Sequence, residues 1–316
     1  MVNEEILTVK NLSVSFKMYD RRLEQKELTV INSLSVSVHK GEIVAIAGSS
    51  GSGKSLLAHA ILGILPHNST VKGSIDYRGQ PLTHERLEAL RGHEIALIPQ
   101  SVNYLDPLMT AGKQVEGIFG TPKQQEAVFA RYGLAPDVAR LYPYQLSGGM
   151  ARRVLLSTAV ISGASLIIAD EPTPGMSVEM ARRAMGHFRE LSREGAGVFM
   201  ITHDIDLAFE YADRIAVFYA GTTVEIAAAA DFKEGLTKLR HPYTKALWNA
   251  VPQNGFTPIA GGQPVATFIP DASHEEIKTS TGCPFAPRCP EKTEKCNTEI
   301  PMRPLRGGEV RCVNAI

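Results

Sequence analysis

An α/β fold built on a parallel sheet, with an antiparallel β layer, a helical subdomain and a small irregular Cys-rich C-terminal tail, is predicted by three observations along the 316 residues. Short runs that are apolar throughout, IVAIA at 43–47, LIIA at 166–169 and VFMI at 198–201, have the pattern of strands covered on both faces. Helical stretches, Lys54 to Leu65 and Val178 to Arg193, lie between them, and such alternation is the order of a parallel sheet. All four cysteines fall at or after position 283, behind a segment rich in Pro and Gly.

Taken in order, Ile6 to Phe16 and Leu28 to Val38 alternate apolar and polar residues, as in LSVSF and SLSVSV, and are predicted as half-buried strands of the antiparallel layer. The start, MVNEEILTVK, lacks the basic residues and continuous apolar run of a secretory signal and reads as part of the first strand. Ile215 to Tyr219 is a fourth apolar run of the parallel type. From Leu105 to Ser157 apolar positions recur at helical spacing, punctuated by Pro107, Pro122, Pro136 and Pro143, which predicts a helical insertion. After Ala250 the sequence VPQNGFTPIAGGQPVATFIPDAS has no helical periodicity and reads as a linker to the tail. The expected organisation is a main domain over 1–250, its helical subdomain at about 105–157, and an extension over 251–316.

Hydrophobic residues at 44% and charged residues at 21% describe a chain able to bury a sizeable core. Its 33 basic residues balance 33 acidic ones, so it has no bulk positive field of the kind that draws a protein to nucleic acid. No window approaches the roughly eighteen apolar residues needed to cross a bilayer, so a cytosolic chain is expected, with any membrane link running through a partner.

Gly48-Ser49-Ser50-Gly51-Ser52-Gly53-Lys54-Ser55 fits G-x-x-x-x-G-K-[ST] between a buried strand and a helix, the setting that the motif requires. Glycines let backbone amides wrap a phosphate at a helix N-terminus, Lys54 neutralises the β and γ oxygens, and Ser55 reaches Mg²⁺. A second strand ends in Asp170-Glu171. Beside a phosphate loop, Asp170 can hold the Mg²⁺ shell and Glu171 can polarise the attacking water, although two acids before a helix also serve as caps. His203 ends the strand VFMIT, at the carboxyl edge where ligands of α/β sheets collect, and is a candidate contact of the γ-phosphate.

One more segment, Leu146-Ser147-Gly148-Gly149-Met150, resembles the LSGGQ signature of the ATP-binding-cassette (ABC) family. The resemblance runs in order through GSSGSGKS, Gln100 after EIALIP, LSGGM, LIIADEP and ITHD, spanning Ile6 to about Glu225. It implies a P-loop NTPase fold, an ABC nucleotide-binding domain that pairs head to tail with a second one and traps two ATP molecules. By that likeness LSGGM touches the γ-phosphate held by the partner's loop, and Gln100 couples the Mg²⁺ site to the helical insertion and so to a membrane subunit. Ser147 and the amides of Gly148 and Gly149 begin the helix MARRVLLSTAV and make an anion site, or alternatively a plain N-cap. Phe16 or Tyr19 would stack on the adenine, with a core role for Phe16 equally open.

Within the family the likeness is to ATPase subunits of peptide and nickel importers, through LYPYQLSGGM, DPLMT at 106–110, HPYTKAL at 241–247 and the cysteine tail; LGILP at 62–66 resembles the nickel members. It implies a peripheral ATP-hydrolysing subunit at the cytoplasmic face of the inner membrane, energising uptake of di- or oligopeptides or nickel. Its implied partners are a second ATPase subunit, identical or not, two transmembrane permease subunits and, indirectly, an extracytoplasmic binding protein, with no nucleic acid. The alternative is a soluble family member acting in translation or DNA repair; those carry paired cassettes or long coiled coils, which this sequence lacks. An exporter subunit is disfavoured by the tail and HPYTKAL. One departure stands out: after DEPT the family continues T-A-L-D, whereas Pro174-Gly175-Met176-Ser177 puts Ser177 where an aspartate reaches across the dimer.

Cys283, Cys289, Cys296 and Cys312 are separated by five, six and fifteen residues. Structural zinc sites begin with closer pairs, so these gaps suit a [4Fe–4S] cluster better, with Zn²⁺ or free or paired thiols as alternatives. The resemblance agrees, since peptide-importer ATPases share this tail and such a cluster is associated with it. A structural or subunit-docking role is expected, because nothing in the tail can assist phosphoryl transfer.

Overall fold

The computed structural model describes residues 4–19, 25–48, 52–118, 120–259 and 282–316. Its elements begin with strands β1 (Glu5–Tyr19), β2 (Gln25–His39) and β3 (Ile43–Ala47), helix α1 (Lys54–Ile61), strands β4 (Ser69–Tyr77) and β5 (Gln80–Pro81), helix α2 (His84–Leu90) and strand β6 (Ile95–Ile98). Helices α3 (Ala111–Glu116), α4 (Pro122–Arg131) and α5 (Gly148–Val160) follow, then β7 (Leu166–Asp170), α6 (Val178–Arg193), β8 (Gly197–Thr202), α7 (Ile205–Tyr211), β9 (Arg214–Tyr219) and β10 (Thr222–Ala228). Last come α8 (Ala229–Glu234), α9 (Pro242–Asn249), β11 (Arg303–Leu305) and β12 (Gly308–Val310). The chain divides into two compact units, one of Met1–Leu7, Val38–Ile43 and Tyr77–Thr202, the other of Thr8–Ser37, Val44–Asp76 and His203–Ile316.

In the first unit β6, β7 and β8 pair in parallel, Ile95 opposite Leu166 and Leu166 opposite Gly197. Every residue of β7 and β8 is buried, which is why their sequences are apolar without alternation. On α6 the buried side chains Ala181, Ala184, Met185, Phe188 and Ser192 recur at three- and four-residue steps and form one apolar stripe. The insertion is helical as expected, with no strand among its described residues. It has its own core, in which Val115 on α3, Phe129 on α4 and Val154 on α5 pack with Leu105 and Val138. Helix α4 starts where the sequence dictates: Pro122 occupies the first turn, and Thr121 and Gln124 cap each other's backbone amides.

In the second unit β3 and β9 pair in parallel, Val44 opposite Arg214, and β9 pairs antiparallel with β10. A separate layer has the order β2, β1, β4. Its antiparallel sense follows from Asn11 N–H donating to Ser35 Oγ and Ser33 N–H donating to Ser13 Oγ, residue numbers falling on one strand as they rise on the other. Helix α1 stops at Ile61, short of the Leu65 read from the sequence, because Gly63 and Pro66 follow.

The tail belongs to this second unit and is more regular than its Pro- and Gly-rich sequence suggests. Around the 3-10 turns Ala286–Arg288 and Glu294–Asn297, most of its described length is irregular. Residues 303–310, however, form the β11–β12 hairpin, and β12 pairs antiparallel with β10, Glu225 opposite Val310. The Glu225 carboxylate, 0% exposed, is compensated in place: it accepts from the Arg240 and His241 backbone amides and from the Arg240 guanidinium. Arg240 also donates to the Leu305 and Arg306 carbonyls, so the hairpin and the buried ion pair hold one another.

Candidate active site

In the second unit β3 runs into the glycine-rich loop and α1; Ser49, Ser50 and Gly51 lie outside the described residues. A Cβ on Gly48 would stand 2.4 Å from the Phe218 carbonyl oxygen of β9, and one on Gly53 2.8 Å from Val30 Cγ1. Gly53 also has φ 94, a backbone state that disfavours any side chain, so both ends of the loop admit only glycine. Buried Lys54 folds back so that its Nζ donates to the Gly48 carbonyl oxygen at 2.9 Å, tying the loop's two ends together. Ser52 is buried and Ser55 half-buried on the first turn of α1.

In the first unit β7 delivers Asp170, 4% exposed, and then Glu171. Glu171 sits at φ 46, unusual for a residue with a side chain, while its N–H donates to the Ile201 carbonyl of β8 at 2.9 Å. Gln100, just after β6, donates its amide N–H to Glu171 Oε2 at 2.8 Å. Two residues named from the sequence are thus brought together across 71 positions.

The LSGGM segment begins α5. Ser147 Oγ accepts the Met150 N–H at 3.3 Å, so the N-cap reading holds, and a Cβ on Gly148 or Gly149 would meet nothing within 4 Å among the described residues. Further along α5 lies Arg152, a residue that motif reading missed. It is buried, donates to the Pro99 carbonyl at 2.9 Å, and feels the charges of Glu171 and Asp170, although burial dominates and lowers its pKa. Its partner is 53 positions away, so no local pattern could have revealed it.

His203 is exposed just past β8 in the second unit, before the α7 N-cap Asp204. Near the end of β1, Phe16 is half-buried and Tyr19 is 64% exposed. Ser177 is the N-cap of α6, its Oγ accepting the Met180 N–H at 3.3 Å, which is the local task an aspartate would also perform.

The four cysteines gather in the second unit without a disulfide. Burial raises the Cys283 thiol to about 11, and the other three cysteines push it in the same direction, so the sulfurs share one neighbourhood. Cys289 and Cys312 are raised by burial as well. Each sulfur faces a backbone amide: that of Phe285 for Cys283, Glu291 for Cys289, Thr293 for Cys296, and Asn314 and Ala315 for Cys312. Among the described residues no three His, Cys, Asp or Glu side chains close into the ligand set of a single metal ion.

Residues 31–174 match the family described as ABC transporter, and 224–296 the one described as oligopeptide/dipeptide transporter, C-terminal region. The chain is similar to the oligopeptide transport ATP-binding protein OppD of Escherichia coli (strain K12), 34% identical over 98% of this chain and 92% of that one. It is likewise similar to the dipeptide transport ATP-binding protein DppD of Bacillus subtilis (strain 168), 33% identical over 96% of this chain and 92% of that one. Among solved structures, the dimeric post-hydrolysis state of the ATP-binding cassette MJ0796 bound to ADP and Pi is 26% identical at a TM-score of 0.64, covering 71% of this chain and 98% of that one. The solved cassette covers about seven tenths of this chain, whereas the peptide-transport relatives align with nearly the whole of it. Similarity of that extent is to entire ATP-binding proteins and not to one motif, and the chain belongs to the ABC transporter family as an ATP-hydrolysing subunit.

Proposed function

We propose that the chain hydrolyses ATP, paired with a second ATP-binding subunit, to drive import of di- or oligopeptides through two permease subunits at the cytoplasmic face of the inner membrane. An extracytoplasmic binding protein supplies the peptide. The observation that carries the hydrolytic part is Glu171, held at positive φ with Gln100 bonded to its carboxylate. In this reading Glu171 orients water for in-line attack on the γ-phosphorus; the water forms a new P–O bond, its proton leaves toward solvent, and the bond to ADP breaks. Lys54 balances charge on the β and γ oxygens, the loop amides hold the phosphates, and His203 contacts the γ-phosphate. Ser55, Gln100 and Asp170 offer the hydroxyl, amide and carboxylate oxygens suited to Mg²⁺, which when bound neutralises phosphate charge. Tyr19, the more exposed of the two aromatic candidates, serves the adenine ahead of Phe16.

Peptide import is supported by the relatives' names and by the matched C-terminal region. A strain lacking this gene should fail to take up labelled di- or oligopeptides; intact peptide uptake with lost nickel uptake would overturn the substrate. For hydrolysis, Glu171→Gln in the assembled transporter should cut ATPase activity by about a hundredfold or more while nucleotide still binds. Unchanged activity would make this the silent site of the pair.

In the tail, Cys283, Cys289, Cys296 and Cys312 would hold a [4Fe–4S] cluster. What supports this reading is the chemistry of the donor set: four thiols in one neighbourhood, each facing a backbone amide. When bound, the cluster would cross-link the tail's irregular segments. Anaerobically purified protein with about four iron and four sulfide per chain is the expected result; a colourless protein with one zinc overturns it.

A further inference from the structure

HPYTKAL entered the sequence reading only as a family likeness, with no task for its histidine. In the structure His241 is 1% exposed and N-caps α9: its Nδ1 accepts the Tyr243 N–H at 3.0 Å. A neutral imidazole with Nδ1 accepting must carry its proton on Nε2. Nε2 lies 3.7 Å from Cys283 Sγ, within reach of an N–H···S hydrogen bond. His241 is also fixed from behind, since its backbone N–H donates to buried Glu225 at 2.7 Å. Phe285, two residues past Cys283, closes the site: its ring packs edge-on against Tyr219 at 5.4 Å and against Tyr243 and His241 at 5.4 and 6.1 Å. The backbone amides facing the four sulfurs come from the tail itself, whereas His241 reaches Cys283 from 42 positions earlier.

We propose that His241 is a positioning residue of the cysteine site, donating its Nε2–H to Cys283 Sγ and thereby raising the reduction potential of the group that the four thiolates hold. The inference rests on the [4Fe–4S] reading above. Uptake of one electron from a low-potential reductant adds one negative charge to such a cluster. A hydrogen bond to a ligand sulfur favours that more negative state, the more so in a dry site. A purely structural histidine would cap α9 and leave the potential alone.

Two substitutions separate the roles. In His241→Asn the side-chain oxygen takes the place of Nδ1 and keeps the cap, but nothing replaces Nε2. In His241→Gln the amide nitrogen takes the place of Nε2 and restores the donor. The measurement is iron and sulfide content together with the midpoint of an anaerobic dithionite titration followed by electron paramagnetic resonance. His241→Asn should keep its iron and shift the reduction equilibrium about tenfold toward the oxidised form, a midpoint roughly 59 mV lower for one electron. His241→Gln should fall close to the parent protein. Loss of iron from His241→Asn alone would make the donor a holder of the group and not a tuner of its potential, and overturns the proposal. An iron-loaded His241→Asn with the parent midpoint overturns it, as does loss of iron from both variants. A parent protein without iron or sulfide removes the cluster reading and this inference with it, and is recognised before any variant is made.

Discussion

Two helices of this molecule begin at glycine-rich segments, and their first turns are built in opposite ways. Helix α1 starts at Gly53, in the left-handed region and without a side-chain cap, hemmed in by Val30 and tied through Lys54 to Gly48. Helix α5 starts at Ser147, extended and self-capped on Met150, with open space around Gly148 and Gly149. Both have the dipole and amide geometry that attract an anion. The difference teaches which glycines are required by their own neighbours: the first pair is, whereas the second pair meets nothing among the described residues.

The comparison breaks most readily at Gly53→Ala. The methyl meets Val30 and the backbone is strained by about 1–3 kcal/mol. Nucleotide affinity, read by calorimetry with a slowly hydrolysed ATP analogue, should fall on the order of a hundredfold. Unchanged affinity would mean that the loop is not where phosphates bind. Next is Gly149→Ala, which introduces no clash with the described residues. The isolated subunit should bind nucleotide normally, while ATPase activity of the assembled transporter drops roughly tenfold, about 1.4 kcal/mol of lost transition-state stabilisation. Full activity would reduce the LSGGM turn to a plain cap. The smallest effect belongs to Ser147→Ala, which removes one cap hydrogen bond and should cost about 1 kcal/mol in denaturant unfolding of the isolated chain. A loss well above that would show Ser147 holding more than its own helix.

Much of this was legible because the informative patterns are local. IVAIA, LIIAD and VFMI are fully buried strands, and the phosphate loop follows the first of them, since a continuous apolar run and a strand–glycine–helix order are both written within a dozen or so residues. What escaped depends on contacts distant in sequence. Arg152 acquires its meaning from Pro99 and the carboxylates, and His241 from a cysteine. The β11–β12 hairpin was hidden because Pro304, Gly307 and Gly308 are poor strand residues, and its partner β10 lies far upstream. The positive φ of Glu171 had no sequence signal either, because a residue with a side chain rarely adopts that backbone state and nothing local marks it.

The pairing of β12 with β10 also sets a timetable for synthesis. The edge of β10 that carries Glu225 is completed by residues about 85 positions later, which a ribosome adding roughly 5–20 residues per second reaches only after about 4–17 s. During that interval the nascent chain carries an apolar strand edge with one side unpaired, and the carbonyls of Leu305 and Arg306 that Arg240 will bind do not yet exist. Residues 303–310 therefore decide when the second unit can finish folding, and a ribosome stalled before position 303 would leave behind a species prone to pair with its own kind.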